Sequence, residues 1–134
     1  MFISEIIIRV RYSETDRMGY VYYGNYATYF EVARVEALRE LGITYKEMED
    51  EGILLPVYHY EVKFHKPSFY DDELAIKTFI RTMPEARIVF DYETFNRKRE
   101  LVNTAQTTLV FVDRKTNKPC HAPSHVMEAL KKYF

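Results

Sequence analysis

The longest regular pattern in the sequence is helical. Between residues 25 and 41 there is no Pro or Gly, and apolar side chains recur at intervals of three and four residues, which predicts one α-helix with an apolar face. Asn25 is expected to cap the N-terminus of this helix, and Gly42 is expected to end it in the left-handed conformation. Three further apolar residues widen the face: Ala27, Val32 and Val35. The pattern therefore predicts a helix that is buried on several sides.

Strand patterns occupy most of the remaining chain. Apolar and polar residues alternate, as in half-buried strands, over residues 6–12, 58–64, 74–80, 87–95 and 101–112. The spacing of Thr44 and Glu47 predicts a short second helix that ends near Gly52, and Pro123-Ser124 predicts the start of a closing helix. The last four strands have short connections, which favour antiparallel neighbours. These elements predict an α+β fold in which a five-stranded antiparallel sheet wraps around the long central helix.

Length and charge narrow the classes of function. A chain of 134 residues is the size of one domain, spanning residues 1–134, with a substantial core. Its 19 basic and 20 acidic residues are balanced, which argues against nucleic-acid binding and against a membrane-surface helix. Neither a signal peptide nor a membrane span is evident. A cytoplasmic location is therefore expected.

A single cysteine further limits the chemistry. Cys120 excludes an intrachain disulfide and is compatible with a reducing cytoplasm. Together with His121 and His125 it superficially resembles a set of metal ligands. Pro123 intervenes and no fourth partner is evident, so no metal is expected.

A candidate reactive group lies just ahead of the long helix. Asp16 is a few residues before the helix N-terminus, where unpaired N–H groups carry about half a positive charge and can bind an anion. These donors suit a reaction that builds negative charge on a carbonyl oxygen. A carboxylate in this place works best when it is partly desolvated. Six of the twelve tyrosines lie between Tyr12 and Tyr29, although packing at a domain or subunit edge is the simpler explanation for them.

The same stretch carries a resemblance to a known family. The motif reads Tyr-Ser-Glu-Thr-Asp-Arg-Met-Gly-Tyr-Val-Tyr-Tyr-Gly-Asn-Tyr over residues 12–26, and it continues as Tyr-Phe-Glu-Val-Ala-Arg over residues 29–34. It resembles the hotdog-fold acyl-CoA thioesterases, and among them the 4-hydroxybenzoyl-CoA thioesterase and YbgC-like branch. A second, weaker stretch over residues 64–74 is similar to the family's strand-turn-strand segment. The predicted order of elements fits the hotdog fold over essentially the whole chain.

The resemblance implies a function and a set of site residues. It maps the catalytic carboxylate onto Asp16, which would either attack the thioester carbonyl or activate a water molecule for that attack. Backbone N–H groups around Tyr23 and Gly24 would polarise the thioester oxygen, and Gly19 and Tyr26 would contact the substrate. Some YbgC-like members have His at the position of Tyr23, so the Tyr found here argues against a histidine-assisted mechanism.

The family also implies an assembly and a mode of coenzyme A binding. Its members are homodimers, or tetramers built from dimers, with the active site at the subunit interface and basic residues on the coenzyme A phosphates. Arg87 and Arg97 are candidates for those phosphate contacts, although a solvated edge explains them as well. Glu31 is a candidate second carboxylate, but the plainer interpretation is a buried carboxylate that is hydrogen-bonded or paired, for example with Arg34 one turn away or across the dimer. No cofactor is expected, because the coenzyme A thioester is the substrate.

Two other functions are compatible with the same fold. A non-catalytic hotdog module would bind acyl-CoA or acyl-carrier thioesters, but the binding of an uncharged thioester gains little from a carboxylate at Asp16. A dehydratase of this fold usually uses a His with a carboxylate, and no His lies near the motif. His59 and His65 are predicted to be surface residues. The sequence therefore favours a hydrolase, with its acyl group open.

Overall fold

The computed structural model describes all residues from 1 to 134. Its helices are α1 (Asn25–Glu40), α2 (Tyr45–Asp50) and α3 (Ser124–Lys131), and a 3₁₀ turn spans Tyr12–Glu14. Its strands are β1 (Phe2–Arg9), β2 (Ile53–Leu54), β3 (Val57–Phe64), β4 (Glu73–Ile80), β5 (Arg87–Phe95), β6 (Leu101–Val110), β7 (Val112–Asp113) and β8 (Lys118–Pro119). None of the three helices has the length and hydropathy that a transmembrane span requires.

Five strands form one antiparallel sheet in the order β1-β4-β5-β6-β3, and a small sheet contains β2, β7 and β8. The register of the large sheet sets one residue from each strand in a row across the same face: Ile6, Ile76, Thr94, Asn103 and Phe64. The middle three residues of this row are fully buried, so this face contains the core. The predicted five-stranded antiparallel sheet with a central helix is confirmed.

One face of α1 forms the centre of the core. Its buried residues follow the predicted spacing of three and four: Tyr26, Tyr29, Phe30, Ala33, Arg34, Ala37 and Leu38. The ring of Phe30 stacks on Tyr92 of β5 with their centroids 4.5 Å apart. Burial on several sides is a wrong expectation for the single chain, because Ala27 and Val32 are exposed and Val35 is half-buried. The sheet of one chain covers only one side of this helix.

The first strand differs from its predicted bounds. β1 begins at Phe2 and ends at Arg9, whereas the alternation predicted a strand over residues 6–12. Tyr12 belongs to the 3₁₀ turn and its side chain is exposed. The strand stops early because the N–H of Glu14 donates to the carbonyl of Arg11 at 3.0 Å, which reverses the chain there.

The predicted C-terminal end of α1 is confirmed, and the predicted N-cap is wrong. Gly42 adopts the left-handed backbone, with a φ of 81°, as predicted. Asn25 is the first residue of the helix and not its cap, since Gly24 occupies the N-cap position without a side-chain hydrogen bond. The side chain of Asn25 turns instead to the preceding loop, where its Nδ2 donates to Glu14 O at 2.7 Å.

Candidate active site

The loop that carries Asp16 is a tight hairpin between the 3₁₀ turn and α1. Thr15 and Val21 form an isolated antiparallel bridge, and the N–H of Asp16 donates to Tyr20 O at 3.0 Å. At the tip, the N–H of Gly19 donates to Asp16 O at 2.9 Å, and Gly19 has a φ of 85°, which glycine adopts without strain. Gly19 therefore serves the turn that fixes the backbone of Asp16.

The Asp16 carboxylate is held through one of its oxygens. Oδ1 accepts a hydrogen bond from the N–H of Met18 at 2.9 Å, whereas Oδ2 accepts none from the protein. The side chain is half-buried and lies in the wall of two neighbouring clefts. One oxygen is thus anchored, and the other is free to react.

Two backbone N–H groups at the start of α1 lack acceptors. The N–H of Tyr22 donates to Glu14 O and the N–H of Asn25 donates to Tyr22 O, both at 2.9 Å. The N–H groups of Tyr23 and Gly24, which lie between them, donate to nothing in the protein. A side chain at Gly24 would set its Cβ 2.8 Å from the Tyr22 ring. The two residues singled out in the sequence therefore present adjacent free donors at the positive end of the helix.

Asp16 and Tyr23 line the same cleft, which has a volume of about 390 Å³. Its wall is formed by Asp16, Met18, Tyr20, Val21, Tyr23, Tyr26, Phe64, His65, Lys66 and Pro67. The rings of Tyr26 and Phe64 lie 5.7 Å apart and give it a mainly apolar lining. Gly19 lines the second cleft, which it shares with Asp16. An apolar cleft with a few polar groups suits an acyl chain or an aryl group.

Part of this wall comes from residues far from the motif. Residues 64–67 comprise the last residue of β3 and the three that follow it. They reach the Asp16 loop because the N–H of Val21 donates to Ser68 O at 2.8 Å. His65 is exposed, as predicted, yet it shares the cleft with Asp16. The absence of a His near the motif therefore holds along the sequence and not in space. The weaker resemblance over residues 64–74 was the signal that this segment belongs to the site.

Glu14 is a buried carboxylate that the sequence reasoning missed, with 7% of the residue exposed. Burial alone would raise its pKa, but hydrogen bonds from Arg11 and Tyr29 outweigh burial and hold the pKa of Glu14 below its ordinary value. Burial, followed by the bond to Glu14, raises the pKa of Tyr29. The phenol therefore stays protonated as a donor to a charged carboxylate. The only signal in the sequence was the three-residue spacing between Arg11 and Glu14, which is common in solvated turns.

Only one of the two candidate phosphate-binding residues lies beside the Asp16 cleft. Arg97 lines a polar cleft of about 600 Å³ that shares Lys66 with the Asp16 cleft, and its Nη2 lies 2.6 Å from Glu73 Oε2. Arg87 is the first residue of β5 and so lies at the opposite end of that strand, with its guanidinium 4.4 Å from the centre of the Tyr58 ring. A strand of nine residues spans roughly 27 Å. One phosphate cannot contact both arginines of a single chain.

Glu31 does not have the surroundings expected of it. Its side chain is exposed and makes no hydrogen bond or ion pair within the chain. Arg34 is buried instead, and its Nε donates to the hydroxyl of Tyr45 at 3.0 Å. Arg34 follows Phe30 by four residues and so shares its sheet-facing side, whereas Glu31 points away from that side. A buried pair between Glu31 and Arg34 is therefore a wrong expectation within one chain.

The chain matches known proteins over nearly its whole length. The sequence profile of the Thioesterase-like superfamily matches residues 10–130. The putative acyl-CoA thioesterase YneP of Bacillus subtilis is 35% identical over 119 residues, which cover 89% of this chain and 86% of YneP. The acyl-CoA thioester hydrolase YbgC of Escherichia coli O6:H1 is 32% identical over 124 residues, which cover 92% of each chain.

A solved structure also matches nearly the whole chain. A DHNA-CoA thioesterase from Staphylococcus aureus superposes with a TM-score of 0.94 at 40% identity, over 99% of this chain and 91% of that one. The hotdog fold predicted from the motif is therefore confirmed. Taken with the profile match and the two relatives, this similarity shows that the chain belongs to the Thioesterase-like superfamily of hotdog-fold proteins.

Proposed function

We propose that this protein is an acyl-CoA thioesterase, which hydrolyses an acyl-CoA thioester to a free acid and coenzyme A. One observation carries the proposal. Asp16 and Tyr23 line a single cleft. Asp16 has a free carboxylate oxygen there, and the N–H groups of Tyr23 and Gly24, which directly precede α1, have no acceptor in the protein. The relatives support the same activity, since YneP is a putative acyl-CoA thioesterase and YbgC is an acyl-CoA thioester hydrolase.

Asp16 can act on the thioester carbonyl carbon by either of two routes. As a nucleophile, its free oxygen bonds to that carbon, coenzyme A leaves as a thiolate with the C–S electron pair, and water hydrolyses the resulting anhydride. As a general base, Asp16 takes a proton from a water molecule, the water oxygen bonds to the carbon instead, and the C–S bond then breaks so that coenzyme A leaves as a thiolate. In both routes the acid is released and the thiolate takes up a proton.

Both routes build negative charge on the thioester oxygen. The N–H groups of Tyr23 and Gly24 would donate to that oxygen as the charge develops. Removal of one such donor typically costs roughly 3–4 kcal/mol of barrier. A thiolate is a weakly basic leaving group, so the site does not require a strong general acid. A carboxylate and a helix end are sufficient for this chemistry.

The polar cleft beside the site suits the phosphates of coenzyme A. Its lining includes four basic residues, Arg9, Lys66, Arg97 and Lys98, and four carboxylates, those of Asp71, Asp72, Glu73 and Glu100. Lys66 and Arg97 are paired with Glu100 and Glu73, so a phosphate would exchange with or join those pairs. We therefore assign Arg97, rather than Arg87, to the phosphates of a substrate bound in the same chain.

The alternatives differ from this proposal in their products. A binding module would bind acyl-CoA and release no thiol. A dehydratase would remove water from a hydroxyacyl thioester, again without thiol release, and the presence of His65 with Asp16 in one cleft is the observation that favours testing it.

A panel of short, long and aromatic acyl-CoA substrates tests the proposal. Wild-type protein should release free thiol from at least one of them with saturation kinetics, because the cleft combines a reactive carboxylate with oxyanion donors. The release is followed with a thiol-reactive chromophore, and a hydroxyacyl-CoA is monitored in parallel for loss of water. Calorimetric binding of acyl-CoA without thiol release would contradict the hydrolase and support the binding module.

We further propose that the protein is a homodimer paired along β3. This strand is an edge of the sheet, and four of its large hydrophobic side chains are exposed: Val57, Tyr58, Tyr60 and Phe64. An unpaired, apolar edge tends to be covered, and an antiparallel second copy is the symmetric way to cover it. Such pairing sets the Tyr58 end of one protomer, with Arg87, beside the Phe64 end of the other. Arg87 would then approach the cleft of the partner.

Sedimentation at micromolar concentration should show a dimer or a tetramer built from dimers. Tyr60→Lys should increase the monomer fraction, because it sets a charge at the middle of the proposed interface. Ile7→Lys is the matched control, since Ile7 is 58% exposed on the opposite edge strand, and it should leave the assembly unchanged. A monomeric wild type, or a dimer that responds only to Ile7→Lys, would contradict pairing along β3.

A further inference from the structure

We propose that Glu14 is a positioning residue for the hydrolysis: it holds the Asp16 loop and the first turn of α1 at a fixed separation. Asp16 and the N–H groups of Tyr23 and Gly24 can then act on one carbonyl group. This inference rests on the proposed function. Glu14 does not contact the substrate, because it is buried and lines neither cleft that contains Asp16.

The side chain of Glu14 ties the end of β1 to α1. Oε1 accepts hydrogen bonds from the N–H of Arg11 and from the hydroxyl of Tyr29, both at 2.8 Å. Oε2 accepts from Nε and Nη2 of Arg11 at 3.1 and 2.8 Å. Arg11 follows the end of β1, and Tyr29 lies on the second turn of α1. All four donors converge on one carboxylate, so its position is strongly determined.

The backbone of Glu14 holds the helix end from the other side. Its carbonyl oxygen accepts from the N–H of Tyr22 at 2.9 Å and from Nδ2 of Asn25 at 2.7 Å. Tyr22 and Asn25 flank the two residues whose N–H groups are free. Glu14 itself is two residues before Asp16. A single residue thus connects the proposed catalytic carboxylate with both flanks of the proposed oxyanion donors.

Loss of the negative charge should loosen this connection. In Glu14→Gln the amide keeps the size of the side chain but offers one acceptor atom, and its NH₂ group would meet two of the four donors. The loop must then shift or rotate to move the amide N–H groups away from the N–H or O–H donors that they face. A misplacement of about 1 Å far from the chemistry can cost a factor of about 10² in rate. The loss should fall on the step that needs alignment and not on binding.

The experiment compares Glu14→Gln with wild type on the best acyl-CoA substrate. We expect kcat to fall by roughly 10- to 100-fold while KM stays within about threefold. Glu36→Gln is the matched control: Glu36 accepts a hydrogen bond from Arg39 at 3.2 Å with the same three-residue spacing but lies outside the clefts. It should leave kcat unchanged. Circular dichroism sets an assay temperature at which every variant is folded.

Tyr29→Phe provides a second test if Glu14→Gln does not fold. It removes one of the four donors and keeps the buried ring, so kcat should fall by about threefold to tenfold at constant KM. A folded Glu14→Gln, or failing that Tyr29→Phe, with wild-type kcat and only a lowered Tm would overturn the proposal, because Glu14 would then serve stability alone. If Asp16→Asn abolishes turnover and Glu14→Gln does not reduce it, the positioning role fails and the proposed function stands. If Asp16→Asn retains full turnover, both fail.

Discussion

Asp16→Asn should lower kcat by roughly 10²–10⁴ while changing KM little. The substitution keeps the size of the side chain, and the amide oxygen can still accept the hydrogen bond that the N–H of Met18 donates to Oδ1 at 2.9 Å. It removes the charge and most of the basicity of the free oxygen, which both proposed routes require. Steady-state thiol release on the best acyl-CoA substrate measures the effect.

Tyr23→Phe is the control for that result. The proposed contribution of Tyr23 is its backbone N–H, and its side chain is exposed, so removal of the hydroxyl should change kcat by less than about threefold. Near-normal turnover in Asp16→Asn would make Asp16 a turn residue only. Glu31→Gln would then be the next variant, because Glu31 is the other candidate carboxylate and its exposed side chain is free within the chain.

Phe30→Ala should lower the free energy of unfolding by about 3–5 kcal/mol. The side chain is completely buried. Its ring centroid lies 4.5 Å from that of Tyr92, on which it stacks, and 6.3 Å from those of Tyr26 and Tyr60. These neighbours belong to a helix and two strands and cannot all close on the resulting cavity. Urea unfolding at one fixed protein concentration measures the change, because association of protomers would make the midpoint depend on concentration.

Val32→Ala is the matched substitution on the exposed side of the same helix. With 43% of Val32 exposed, the loss should stay below about 1 kcal/mol in a single chain. A loss as large as that of Phe30→Ala would show that another protomer covers this side of α1. A small effect of Phe30→Ala would contradict the central place of that ring in the core.

The sequence predicted elements whose pattern is local. The alternation over residues 58–64 and 87–95 corresponds to β3 and β5 within one residue at each end, since alternation reflects the pleat of a single strand. It did not show which side chains would be buried in β3. Alternation sets Tyr58, Tyr60 and Phe64 on one face of the strand, and Tyr60 and Phe64 do pack against rings of α1, yet all three are exposed because β3 lies at the edge of the sheet. Strand order depends on connections in space, which alternation does not contain.

The sequence predicted those residues of the candidate site that lie close together along the chain. Asp16, Gly19, Tyr23 and Gly24 lie within nine residues, so a motif and a helix start were enough to indicate a carboxylate ahead of backbone donors. The burial of Glu14 was not predictable in this way, because its carboxylate is covered by Tyr29 of the helix. Nor was the exposure of Glu31, which depends on the side of α1 that the sheet covers.

By itself, the sequence determined the long helix, the five strands of the large sheet, the position of Asp16 ahead of a helix end and the resemblance to hotdog thioesterases. Each of these follows from residues close together along the chain, where periodicity and spacing report backbone geometry directly. Only the tertiary structure decided that residues 64–67 complete the cleft, that Arg97 rather than Arg87 lies beside it, and that Glu14 joins the loop to the helix. Those relations arise when distant segments pack together, and their energies come from burial and hydrogen bonds across the fold.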